Sequence, residues 1–146
     1  MFKILTLQDY GKVVEVFESV FPEKYRKEFD MVWMLRHTEL SLGVYVKGEL
    51  AGFILTRDTQ ESLCIEFLGV CPKRQELGIG TMLLKHVLQL CNHPKITLVP
   101  LNDRVAQWYK KHGFQFDGFQ TNPFTGQQEE VMFLLRNQRT VGYTDC

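Results

Sequence analysis

The residues most able to do chemistry lie in the run "LGVCPKRQELGIGTMLLKHVLQL", Leu68 to Leu90. An apolar segment meets a proline, then a basic patch, then Gly78 and Gly80, and passes into a helical pattern. Where a strand hands over to a helix through glycines, several amide N–H groups have no carbonyl partner and point outward at the positive end of the helix dipole. Glycine opens torsions closed to other residues and lets a bulky anion touch those amides, so the turn reads as a phosphate site, with Lys73 and Arg74 near enough to add charge.

Two phosphate-binding patterns are excluded by their own spacing. A Walker loop requires Lys and then Ser or Thr after the last glycine, whereas Gly80 is followed by Thr81 and Met82. The dinucleotide fingerprint requires a third glycine three residues after the second, and position 83 is Leu.

The surrounding pattern supplies the elements that must hold this turn. "SLGVYVKG" and "ELAGFILTRD" read as a hairpin bending at Lys47-Gly48, and "SLCIEFLGV" as a further strand ending at Pro72, which lacks the amide a continuing ladder needs. From Thr81 to Cys91 the apolar residues recur near every 3.6 positions, leaving Lys85, His86 and Gln89 on a solvated face. "KITLV" is a short buried strand, Asn102 or Asp103 caps a helix through His112 that stops at Gly113, and "FQFDGF" and "EEVMFLL" close the chain as two strands around "TNPFTG". Ahead of these stand a strand in "FKILTL", a helix from a capping Asp9 to Val20, and a helical but irregular "EKYRKEFDMVWMLRHTEL". This order predicts an α/β (α+β) mixed sheet flanked by helices.

Gln75-x-x-Gly78-x-Gly80 after "LGVCP", joined with "NDRVAQWYKKHGF" from Asn102 to Phe114, resembles the two cofactor segments of the GCN5-related N-acetyltransferase (GNAT) superfamily, over roughly residues 41–135. The resemblance implies about seven mostly antiparallel strands with about four helices, and a splayed, V-shaped cleft between the central strands. It implies acetyl-CoA as cosubstrate, and transfer of its acetyl group to a primary amine of a small molecule or peptide by direct attack in a ternary complex. On this basis Leu68, Gly69 and Val70 bond the pantetheine arm through main chain, with a bulge at Gly69 and an amide near Val70 polarising the thioester carbonyl. Gln75, Glu76, Leu77, Gly78, Ile79, Gly80 and Thr81 hold the diphosphate, and Asn102 contacts the cofactor. Tyr109 is the general acid, since a phenol with a pKa near 10 keeps its proton at pH 7.

Each assignment has a plainer competitor: Gly69 as a packing glycine, Gly78 and Gly80 as an ordinary helix entry, Tyr109 as a core aromatic, Asn102 as a cap. An amine acceptor must lose a proton before attack, and Glu66, the only charged residue of its strand, is the candidate base; an exposed glutamate on an uncovered part of the sheet is the competing reading. His86 and His112 read as solvated surface. The other activity class compatible with these motifs is a coenzyme A or acyl-CoA binding module without turnover.

Composition sets the outer bounds. With 146 residues one domain, 1–146, is expected, ending in a weakly ordered or edge-docked polar tail over about 137–146. Lys plus Arg and Asp plus Glu each number 17, so no net field favours nucleic acid or anionic lipid. The four cysteines form no C-x-x-C pair, no His, Cys or carboxylate cluster has metal-ligand spacing, and no apolar run approaches ~20 residues. The expectation is a cytoplasmic protein, monomer or homodimer, without a metal and away from membranes. Glu23, Glu28, Asp30 and Glu39 are interleaved with Lys24, Arg26, Lys27 and Arg36, which reads as a solvated helix face rather than a cation site.

Overall fold

The computed structural model describes residues 1–35 and 40–136, without the side chain of Glu76. Seven strands form one sheet in the order β1-β2-β3-β4-β5-β7-β6. They are β1 (Phe2–Ile4), β2 (Leu42–Val46), β3 (Glu49–Asp58), β4 (Leu63–Val70), β5 (Lys95–Leu98), β6 (Gln115–Thr121) and β7 (Gln128–Leu135). Four α-helices accompany them: α1 (Tyr10–Val20), α2 (Arg26–Leu35), α3 (Ile79–Leu90) and α4 (Asp103–Lys111). Every element expected from the pattern is present, and the chain gathers into two compact units, Met1–Arg57 with Glu66–Cys91, and Asp58–Ile65 with Asn92–Cys146.

In the first unit, α1 and α2 bring Val13, Val16, Phe17, Phe29, Val32 and Trp33 onto Leu50, Phe53, Leu55 and Phe67 of the sheet. Phe17 lies 4.3 Å from Phe29 and 5.2 Å from Phe67 between ring centroids, so the aromatic rings interlock at contact distance. The bend at Lys47-Gly48 has positive φ at both residues, 52° and 81°, as a tight hairpin turn requires. Gly52 pairs with Val44 and Leu50 with Tyr45, which leaves Ala51 unopposed as a bulge in β3. Its carbonyl accepts the Cys71 amide at 2.8 Å, immediately beyond the end of β4.

This bulge lies in the β2–β3 pair. Burial alternates along β4 from Leu63 to Val70. Glycine at 69 suits the tight packing there: a Cβ would stand 3.0 Å from Phe53 Cε2 and 3.1 Å from Phe21 Cε2. Gly69→Val is expected to lower stability by about 1–3 kcal/mol through overpacking, read as the shift in the urea midpoint.

Asp9 does not cap α1 with its side chain. Its carboxylate turns back, accepting the Thr6 amide at 2.8 Å, the Tyr45 hydroxyl at 2.7 Å and the Lys3 ammonium. The irregular segment after Pro22 begins as a 3-10 turn, Glu23–Tyr25, before α2. Its expected continuation through Arg36 to Glu39, like the polar tail 137–146, lies outside the described residues. His86, expected in solvent, stacks on Phe2 at 4.0 Å with the rings 11° apart.

The second unit is built on β5 and the β6–β7 hairpin. β7 enters the sheet between β5 and β6, antiparallel to both. The parallel β4–β5 ladder is three pairs long, Leu63 to Ile65 against Ile96 to Leu98, whereas β4 runs on to Val70. The "TNPFTG" turn closes on Asn122, whose Oδ1 accepts the amides of Phe124 and Thr125 while its Nδ2 donates to Glu129. α4 ends at Gly113 with φ 96°, the left-handed conformation that a glycine supplies at a helix end.

Candidate active site

The turn that joins β4 to α3 is a 3-10 helix, Pro72–Leu77, followed by Gly78 in the left-handed region at φ 74°. Proline opens it where its missing N–H costs nothing, and Gly78 reverses the chain into α3. The first intrahelical bond of α3 runs from the Met82 amide to the Gly78 carbonyl at 3.0 Å. Helix geometry thus leaves the N–H groups of Ile79, Gly80 and Thr81 without intrahelical partners. A Cβ on Gly78 would meet no atom within 4 Å, so the chain is uncrowded at the residue that opens α3. Three unpartnered donors and a helix dipole suit the diphosphate of a coenzyme A linker.

The turn is fastened to the sheet from several sides. Gln75 donates from Nε2 to the Val70 carbonyl at 3.1 Å, tying the exposed loop back to the end of β4. Gly52 lets the Ile79 side chain and the Gly69 carbonyl approach so closely that an added Cβ would lie 3.0 and 3.1 Å from them. Arg74 and Lys73, read as near enough to the turn to add charge, both meet Glu49 Oε1, at 2.9 and 3.9 Å.

Glu66 occupies the β4 face opposite the core residue Phe67. Its carboxylate is well covered and accepts from Arg57 Nε at 2.8 Å through Oε1. Neither reading of the sequence foresaw this partner, because Arg57 is at the far end of the preceding strand and no local pattern signals the pairing.

Leu68, Gly69, Val70, Gln75, Glu76, Leu77, Gly78, Ile79, Gly80 and Thr81 all belong to the first unit, as does Glu66. Asn102 and Tyr109 belong to the second, at the start of α4 and about two turns along it. Asn102 is a side-chain cap, its Oδ1 accepting the Val105 amide at 2.9 Å, which leaves its Nδ2 group as a donor. Tyr109 is buried, with its ring 5.3 Å from Phe114 and 5.0 Å from Trp108 between centroids. Among the described residues its hydroxyl makes no hydrogen bond. Burial pushes the phenol above its ordinary pKa, so the proton stays on oxygen at neutral pH, the state a proton donor needs.

His112 is half-buried, its ring 4.5 Å from Trp108 between centroids and tilted 55° to it, rather than fully in solvent. Among the described residues Cys64, Cys71 and Cys91 form no disulfide, and no group of three His, Cys, Asp or Glu side chains is gathered to hold a metal. No helix among the described residues is long and apolar enough to cross a membrane. Two contributors were missed in the sequence, Glu49 and Gly52. The second had a signal, a lone glycine inside a strand pattern, which marks a bulge or a close backbone approach; the first had none.

Comparison with known proteins agrees with this geometry. The sequence model of the acetyltransferase (GNAT) family matches residues 8–114. A 5-NmdU N-acetyltransferase of Pseudomonas phage PaMx11 is 26% identical over 113 residues, which cover 71% of this chain and 81% of the relative. The probable N-acetyltransferase san of Drosophila melanogaster is 32% identical over 106 residues, 66% of this chain and 57% of the relative, so the match spans little more than half of that protein. In fold, the ribosomal-protein-S18-alanine N-acetyltransferase of Escherichia coli is similar with a TM-score of 0.76 at 20% identity, covering 100% of this chain and 98% of the other. Arabidopsis thaliana Naa50, solved with the bisubstrate analogue CoA-Ac-MVNAL, has a TM-score of 0.70 at 23% identity, with 91% and 96% covered. The chain is an acyltransferase that uses acetyl-CoA for N-acetyl transfer, and it belongs to the acetyltransferase (GNAT) family.

Proposed function

We propose that the protein transfers acetyl directly to a primary amine, of a small molecule or a peptide, in a ternary complex without a covalent acyl-enzyme. The observation that carries this reading is the α3 start, where Gly78 turns left-handed with no atom crowding it and the Ile79, Gly80 and Thr81 amides precede the first intrahelical bond. These amides, with those from Glu76 to Gly78, hold the diphosphate, and Gln75 fixes the loop. The stretch Leu68–Val70, on the part of β4 beyond the short parallel ladder, bonds the pantetheine through main chain, with an amide near Val70 on the thioester oxygen. Acetyl-CoA supplies an acyl carbon activated as a thioester.

Glu66 takes the proton of the acceptor ammonium on its carboxylate, which frees the nitrogen lone pair. The amine adds to the thioester carbonyl, and the tetrahedral intermediate collapses as the C–S bond breaks, with Tyr109 donating its phenolic proton to the departing sulfur. The surplus proton lost by the acylated nitrogen balances the one that restores the phenol. Asn102 keeps α4 in place as its cap and offers its Nδ2 hydrogens to the cofactor. The protein is a monomer or homodimer, and Cys64, Cys71 and Cys91, which form no disulfide among the described residues, suit a reducing, cytoplasmic setting.

Purified protein given acetyl-CoA and a panel of polyamines, aminoglycosides, nucleoside amines and peptide amino termini is expected to release thiol with at least one class. Tight binding of acetyl-CoA with no thiol released across the panel would favour a binding module instead.

A further inference from the structure

We propose that Glu49 is an internal competitor for the diphosphate of the cofactor, holding Arg74 until the anion arrives and reclaiming it when the product leaves. This rests on the diphosphate reading of the 72–81 turn. Arg74 sits in the 3-10 turn four residues ahead of Gly78, with its side chain only 18% exposed, and its Nη2 is 2.9 Å from Glu49 Oε1. Lys73 Nζ approaches the same oxygen at 3.9 Å. One carboxylate at the start of β3 therefore occupies both cations flanking the open amides. The Glu49 side chain is itself 61% exposed, so water screens the pair and its grip is weak.

A doubly charged linker on the Ile79–Thr81 amides offers Arg74 a stronger, charge-assisted partner. Arg74 then exchanges carboxylate for phosphate, and Glu49 opposes the bound anion by its own charge. The guanidinium fork suits phosphate geometry, whereas Lys73 contributes as a point charge. The diphosphate is identical in substrate and product, so the effect falls on uniform binding: it sets affinity for acetyl-CoA and for free coenzyme A by one common factor.

The test is calorimetric titration with acetyl-CoA, coenzyme A and a phosphate-free acetylpantetheine thioester. Glu49→Gln is expected to lower Kd about two- to five-fold for both phosphate-bearing ligands, in the range of an exposed ion pair, and to leave the phosphate-free thioester unchanged. Arg74→Gln is expected to raise Kd about ten-fold or more. In a Lys73→Gln, Arg74→Gln background the Glu49→Gln effect should vanish, as a double-mutant cycle requires of coupled groups. An unchanged or raised Kd in Glu49→Gln, or an effect that persists without the cations, overturns the competitor role while wild-type binding leaves the diphosphate reading standing. Wild-type protein that binds the phosphate-free thioester as tightly as acetyl-CoA overturns both.

Discussion

Replacing Tyr109 with phenylalanine is expected to reduce kcat by about 10²–10⁴, the range of general acid–base steps, while Kd for acetyl-CoA stays near the wild-type value. The substitution removes one oxygen from a ring that remains packed beside Phe114 and Trp108, so the fold has little reason to respond. The oxygen is the part without a partner among the described residues, and burial keeps it protonated. An aromatic present only to fill the core would give the opposite pattern, unchanged turnover and at most a small shift in stability. Single-turnover measurement of thiol release, with the cofactor titrated separately, separates the two outcomes, and an unaltered rate removes Tyr109 from the chemistry.

The second large effect concerns stability. Asp9→Ala is expected to cost about 2–4 kcal/mol at pH 7, measured by urea unfolding, because it strips a buried acceptor from the Thr6 amide, the Tyr45 hydroxyl and the Lys3 ammonium. Burial alone would raise the Asp9 pKa, but the hydrogen bonds from Lys3, Tyr45 and Thr6 outweigh it and hold the carboxyl down to about 2, against 3.8 ordinarily. The same burial, with Asp9 as acceptor, pushes Tyr45 up to about 12. A depressed carboxylate stabilises the folded state fully above pH 3.8 and loses that contribution as pH falls toward 2, here about 2 kcal/mol. Wild type and Asp9→Ala should therefore converge between about pH 4 and pH 2. A gap that stays constant through that window would mean that Asp9 acts by packing alone.

Much of this molecule was legible because its signals are local. The α3 pattern, the Lys47-Gly48 bend, the Asn102 cap and the Gly113 stop each follow from torsions or periodicity within a dozen residues. Strand order is different: the insertion of β7 between β5 and β6 is a long-range pairing, and nothing in "EEVMFLL" states which neighbour it will find. The same holds for the site. The glycine turn could be read from its spacing, but the ion pairs Arg57–Glu66 and Arg74–Glu49 join residues 9 and 25 positions apart, across strands whose register the sequence does not display. Asp9 illustrates a competition between local and distant partners. As a helix cap it satisfies every sequence rule, yet Tyr45, 36 residues away, and Thr6 behind it claim the carboxylate instead. The bulge at Ala51 follows the same logic, since a bulge belongs to a pair of strands and is written in neither alone.

The donors at the start of α3 are main-chain hydrogens, and every amino acid except proline brings one. A conventional alanine scan will therefore pass over the heart of this site: exchanging Ile79 or Thr81 for alanine leaves the hydrogens in place. Interrogating it demands edits to the backbone itself, such as an amide-to-ester replacement at Gly80, which deletes one hydrogen while sparing all side chains.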